Sequence, residues 1–120
     1  MSIKAMAQKS LNMSGNLIGL ILAVLESAPL HGYGIAREIE KRSSEALSIG
    51  EGTLYPVLRM LEQNGLVVAS WDTSGPGAAR KVYQLTPAGH TELDQFRDAW
   101  RAYSRSVDQV LGGLPGIQPA

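Results

Sequence analysis

The sequence predicts a mainly helical protein, three helices followed by a two-stranded hairpin and one long closing helix, which is the element order of a winged helix-turn-helix. Three observations carry that expectation. The run Leu17 to Leu25 (LIGLILAVL) is apolar almost throughout, and a helix that is hydrophobic on nearly every side must be covered on nearly every side. Leu54, Val57, Leu58 and Leu61 recur at i, i+3, i+4 and i+7, one face of a 3.6-residue period. After Asn64-Gly65 the period changes. Two short runs rich in β-branched and aromatic residues, Leu66 to Trp71 and Arg80 to Thr86, flank a tip, Asp72 to Ala79, that carries two glycines, the pattern of a hairpin with a long tip.

Composition bounds the rest. With 120 residues, 44% hydrophobic and 18% charged, the chain is one ordinary globular domain, richer in apolar residues than a disordered chain. It has no cysteine, which excludes disulfide scaffolds, thiolate metal sites and cysteine nucleophiles and fits a reducing cytoplasm. Eleven basic and eleven acidic residues leave no net charge, so affinity for nucleic acid must come from where the charges sit. The apolar run at Leu17 is far short of the roughly 20 residues that span a bilayer. Coming after Lys4 and Lys9 it has the outline of a secretory signal, but Ser27-Ala28-Pro29 makes a poor cleavage site, and without this helix the domain would lack a core.

Taken in order, residues 1–13 read as a tail or loosely held helix. Ser14 or Asn16 caps the first helix, which runs to about Glu26. Ala28 to Gly32 is a break marked by Pro29. A second helix spans Gly34 to Arg42, with Ile35 and Ile39 inward. The connection Ser43 to Gly52 leads to the third helix, which Asn64-Gly65 ends, with Pro56 in its first turn or just beyond. Thr86 is an N-cap and Pro87 a first helical residue, opening a helix over 87–111. The tail from 112 to 120 is rich in Gly and Pro. The winged helix-turn-helix therefore covers 14–86 and the long helix 87–111.

Enzymatic signatures are missing from this pattern. His31 and His90 have no metal-ligand neighbour at helical spacing, Gly50-Glu51-Gly52 is only a fragment of a dinucleotide fingerprint, and no serine sits in a nucleophile elbow. The reading is a protein without cofactor, metal or catalytic centre. The third helix instead has the make-up of a reading helix. Its outer face carries Thr53, Tyr55, Pro56, Arg59, Met60 and Gln63, whose hydroxyls suit phosphate and whose Arg and Gln reach base edges in a major groove. Glu51 and Glu62 are awkward beside DNA, and an isolated surface helix would look similar. Arg80 and Lys81 stand beside a stretch of the wing tip without an acid, Ser74 to Ala79, as a wing that follows a phosphate track requires. In the last helix Leu93, Phe96, Trp100, Tyr103, Val107 and Val110 step by 3, 4, 3, 4, 3, a heptad seam. Such a seam packs on a partner helix, most simply that of a second copy, or folds back on the first helix. Trp100 and Tyr103 pack less regularly there than aliphatics would. A cleft that stacks a flat aromatic ligand is one reading of them, and a filled interface the other.

The sequence resembles the PadR-like transcriptional regulators, in their short form with one C-terminal helix. The stretches that match are His31-Gly32-Tyr33-Gly34-Ile35, then Gly52-Thr53-Leu54-Tyr55-Pro56-Val57-Leu58 through Leu61-Glu62 to Gly65-Leu66-Val67, and Arg80-Lys81-Val82-Tyr83-Gln84-Leu85-Thr86 with Ala88-Gly89. Together they cover roughly Leu17 to Gly89. The resemblance implies a homodimer that binds double-stranded DNA at an inverted-repeat operator and represses transcription, relieved in several members by phenolic acids, drugs or other aromatics. It implies that Thr53 and Tyr55 contact the DNA backbone, that Arg59 lies near the groove, that Arg80 and Lys81 sit on the wing, and that Tyr33 and Tyr83 support the reading head. The wing tip is small and neutral where many relatives carry more basic residues. The alternative is a winged-helix module that docks proteins instead of DNA, a reading favoured slightly by the zero net charge.

Overall fold

The computed structural model describes residues 14–112. Five of its elements follow the expected order: α1 (Ser14–Ser27), α2 (Gly32–Arg42), α3 (Glu51–Gln63), then strands at Val67–Asp72 and Arg80–Leu85. A long helix, α4 (Pro87–Leu111), closes the chain. The extra element is a two-residue strand, β1 (Leu30–His31), so the hairpin strands become β2 (Val67–Asp72) and β3 (Arg80–Leu85) of a three-stranded antiparallel sheet ordered β1-β3-β2. The expected two-stranded wing is present as β2 and β3, and β1 adds a third strand on the other edge of β3. Leu30 pairs with Tyr83 and His31 with Val82, because the segment after Pro29 passes along the free edge of β3. The expected tails, with Lys4 and Lys9, lie outside the described residues.

α1 is the central helix its composition requires. Leu17, Ile21, Leu22, Val24 and Leu25 are all buried, and they join Ile35 and Ile39 of α2, Leu54, Leu58 and Leu61 of α3, Val67, Tyr83 and Leu85 of the sheet and Leu93 of α4 in one core. Val57, expected inward, is half-buried at its edge. Helix α2 begins two residues earlier than expected, because His31 is its cap: its Nδ1 accepts from the Gly34 amide at 3.0 Å. The connection to α3 turns through Ser44 and Glu45, both at positive φ, held by Ser43 Oγ, which donates to the Glu40 carbonyl and accepts from the Leu47 amide.

The junction of α3, β2 and α4 is drawn tight. The Leu66 amide donates to the Leu61 carbonyl at 2.9 Å, and the Leu66 carbonyl accepts from the Thr86 amide at 3.2 Å. Thr86 Oγ1 donates to the Gly65 carbonyl at 2.6 Å and accepts from the Gly89 amide at 3.0 Å as the N-cap of α4. Gly65 takes a left-handed φ of 73°, which a glycine adopts without steric cost. Further along α4, Phe96 lies across Gly19 of α1, in the space a side chain there would fill. Arg97 donates through both Nη atoms to the two carboxylate oxygens of Glu26, each at 3.0 Å. The seam expected along α4 is therefore divided. Leu93 is only 1% exposed within the chain's own core, and Phe96 is taken up by α1. Assigning these two residues to a partner is corrected for Leu93, which has almost no surface left to offer. Trp100, Tyr103, Val110 and Leu111 remain exposed, and Val107 is half-buried.

Candidate nucleic-acid interface

Helix α3 separates cleanly into two faces. Leu54, Leu58 and Leu61 are buried, while Thr53, Tyr55, Pro56, Arg59, Met60 and Gln63 are exposed. Every residue expected on the outer face is on it. Pro56 falls at the sixth residue of the helix, inside it and on the solvent side.

Tyr55 is more than a surface aromatic. Its ring lies against Gly32, so close that a Cβ there would fall 2.6 Å from the hydroxyl and 2.7 Å from Cε1. The glycine at the start of α2 thus makes the seat for a side chain of α3. The seat belongs to a cavity of about 340 Å³ lined by His31, Gly32 and Tyr33 from the start of α2, Tyr55 from α3, and Arg80, Lys81 and Tyr83 from β3. The structure accordingly brings Tyr55, Arg80 and Lys81 together. Thr53, Arg59 and Gln63 do not line this cavity and are spread along the exposed face of α3.

The two wing cations differ in their surroundings. Lys81 Nζ donates to Glu62 Oε1 at 3.1 Å and sits 5.6 Å from the centre of the Tyr83 ring. The hydrogen bond to the Glu62 carboxylate holds the Lys81 ammonium above its ordinary pKa, the ionisable phenol of Tyr83 adding to the effect. Burial raises the pKa of the Tyr83 phenol. Glu62, which looked misplaced near DNA, is thus the counter-charge that fixes Lys81 against the reading helix. Among the described residues Arg80 has no carboxylate within ion-pair distance; its Nη1 lies 3.0 Å from His31 Nε2. The acid opposite it in the sheet, Asp72, is turned to the tip, where its Oδ1 accepts from the Ser74 amide at 2.9 Å and Ser74 Oγ at 2.6 Å. Those bonds lower the pKa of Asp72. Sequence reasoning marked Glu62 only as an awkward acid and gave no role to His31 or Gly32, so the His31–Arg80 contact, the seat for Tyr55 and the Glu62–Lys81 pair were missed. The His31-Gly32-Tyr33 run beside a proline break was the signal for the first two, whereas the Glu62–Lys81 pair joins residues far apart in the chain.

The other sequence-marked aromatics lie elsewhere. Trp100 borders a second cavity, about 380 Å³, with Gly19, Leu20 and Ala23 of α1, Leu47 and Phe96. The Tyr103 ring is tilted against Trp100 at 6.0 Å between centroids. Among the described residues no group of His, Asp or Glu is arranged to hold a metal ion, and no helix is long and apolar enough to cross a membrane.

Residues 21–95 match the transcriptional regulator PadR-like family. The chain belongs to that family. A transcriptional regulator of Mycobacterium tuberculosis is 38% identical to it over 84 residues, covering 70% of this chain and 72% of the relative. Among solved structures, a PadR family transcriptional regulator from Eggerthella lenta superposes with a TM-score of 0.77 at 29% identity, over 91% of each chain. PadR of Bacillus subtilis, solved in complex with operator DNA, superposes with a TM-score of 0.60 at 28% identity, over 67% of this chain and 46% of that one. These PadR-family neighbours share the winged-helix plan found here, and the family is one of transcriptional regulators, not of enzymes.

Proposed function

We propose that this PadR-family regulator is a cytoplasmic repressor that grips double-stranded DNA at an inverted-repeat operator as a homodimer. One observation carries the reading: α3 buries Leu54, Leu58 and Leu61 and leaves Thr53, Tyr55, Arg59 and Gln63 in solvent, on a rigid helix flanked by Arg80 at the wing base. That is the layout in which a helix enters a major groove and a wing lies on the adjoining backbone. The operator complex of the Bacillus subtilis relative supports it. In this reading Thr53, Tyr55, Arg80 and Lys81 meet the backbone, and Arg59 and Gln63 meet base edges.

The distal half of α4 supplies the dimer contact, because Trp100, Tyr103, Val110 and Leu111 are exposed there, Trp100 at the edge of the cavity it shares with α1. A small aromatic effector stacked on Trp100 and Tyr103 would alter DNA affinity by biasing how the two copies meet.

The test is anisotropy with labelled fragments from upstream of the protein's own gene, alongside light scattering. A two-fold symmetric footprint from a dimer is expected. A Tyr103→Asp, Val110→Asp double variant should be a folded monomer that no longer binds; these positions are exposed, so folding is spared. A monomeric wild type overturns the dimer, and a dimer that retains no fragment overturns the DNA reading. For the effector, Trp71→Phe leaves Trp100 as the sole tryptophan. Aromatics that release DNA should then quench its emission, and release without quenching removes the ligand from this position.

A further inference from the structure

The imidazole of His31 is approached by two donors and can accept from only one of them. A histidine ring has at most one unprotonated nitrogen to serve as acceptor. The Gly34 amide points at Nδ1 at 3.0 Å, and Arg80 Nη1 stands 3.0 Å from Nε2. The first contact is the helix cap, fixed by the backbone of α2 itself, so Nδ1 is the acceptor and the ring proton sits on Nε2. Nε2–H and the guanidinium therefore face each other as donor against donor. A guanidinium has no acceptor of its own. The two donors come that close without penalty only around a shared acceptor.

The surroundings say what kind of acceptor. The contact opens on the cavity of about 340 Å³ described above, which Tyr55 and Lys81 also line and whose walls contain no carboxylate. The two acids near it are engaged elsewhere: Glu62 is bonded to Lys81, and Asp72, which feels the Arg80 charge across the sheet, is bonded to Ser74 at the wing tip. The amide at the start of α2 is spent on the cap, so the recognition is by side chains. A tetrahedral anion with several acceptor oxygens satisfies the three donor types together, whereas a carboxylate offers one plane.

We infer that this cavity seats one phosphodiester of the DNA backbone in each half-site, with one oxygen shared by His31 Nε2–H and Arg80 and another within reach of the Tyr55 hydroxyl. The inference rests on the DNA-binding reading and names a contact outside the reading helix. It makes His31 serve twice, capping α2 through one nitrogen and binding DNA through the other. It also explains why Gly32 follows, since any side chain there would evict Tyr55.

His31→Asn keeps a side-chain oxygen for the cap and removes the Nε2 donor; Arg80→Gln removes the charge. Each should weaken binding about tenfold, the worth of a hydrogen bond to a charged group, by the same factor on operator and on random-sequence DNA, since a phosphate contact carries no base information. The double variant should lose less than the product of the two. Operator duplexes carrying a neutral methylphosphonate at successive single positions supply the decisive arm. One position per half-site should weaken wild type and leave Arg80→Gln unaffected, and this arm needs no change at the helix cap. Wild type and Arg80→Gln giving the same methylphosphonate profile would overturn the seat. So would both variants binding as wild type does while Arg59→Ala loses the operator, an outcome that leaves the DNA reading standing. A wild type that binds no DNA overturns both.

Discussion

Gly89→Ala sets helix propensity against a steric contact at the junction where α4 leaves the sheet. Gly89 lies in the first turn of α4 and is buried. A Cβ there would press into the Leu66 carbonyl oxygen, with Leu85 Cδ2 at 3.1 Å and the Leu66 carbonyl carbon at 3.2 Å. The main obstacle is backbone, so no rotamer change relieves it and α4 must lift away. Lifting it stretches the Thr86 amide bond to Leu66 (3.2 Å) and the Thr86 Oγ1 bond to Gly65 (2.6 Å), at about 1 kcal/mol each. Overpacking adds about 1–3 kcal/mol, and alanine returns about 1 kcal/mol of helix propensity. The net loss is about 2–4 kcal/mol, a fall in Tm of roughly 8–16 °C for a chain of this size. Urea titration followed by tryptophan emission and by far-UV circular dichroism measures it. A variant as stable as wild type, or more so, would show that propensity outweighs the contact and that α4 is not held against Leu66.

Three further predictions concern charge and contact. Arg59→Ala, on the exposed face of α3, should cost about 1–3 kcal/mol of operator affinity, mostly as lost sequence preference, with an unchanged melting curve; unchanged discrimination by competition anisotropy would remove Arg59 from the groove. Lys81→Gln removes a cation that meets the backbone in the proposed reading and should lower affinity for random-sequence DNA, flattening the log–log salt dependence by about 0.9 per subunit. An unaltered slope would mean that Lys81 never reaches phosphate. The Arg97 hydrogen bonds lower the Glu26 pKa below its ordinary 4.5. The pair's stabilisation is thus fully present above pH 4.5 and is lost as pH falls through the depressed value. Both groups are partly exposed, so wild type should exceed Glu26→Gln by under about 1 kcal/mol at neutral pH. In a denaturation series against pH that gap should close on acidification, and a gap that widens would contradict the sign.

The fold was legible because its helices announce themselves by burial. LIGLILAVL and the Leu54–Leu61 face each specify which side meets the core, and Thr86-Pro87 marks the start of α4 with residues that suit it for known reasons. β1 stayed hidden because two residues carry no period, and His31 is not among the favoured cap residues. The outer face of α3 could be read by elimination from its inner one. The cavity could not, since it joins the start of α2 to β3 through a pairing that only the folded sheet reveals. The seam of α4 was visible as a pattern, but no pattern states how much of a helix its own chain consumes. Gly19 decides that by letting Phe96 settle on α1.

The bonds around Gly65 and Leu66 have a consequence for which DNA sites can be occupied. The end of α3 and the start of α4 are tied to the same two backbone units, with Leu66 bonded to Leu61 on one side and to Thr86 on the other. Tilting the reading helix while the long helix stays still would strain these bonds. In a pair of chains joined through α4, the two reading helices would sit at a fixed distance and angle, like the jaws of a locked caliper. An operator lengthened by one base pair displaces its second half-site by about 3.4 Å and rotates it by roughly a tenth of a turn. In the proposed dimer, such a site would leave the second reading helix out of register with its half-site by that shift and rotation, and the junction would have to strain to recover the contact.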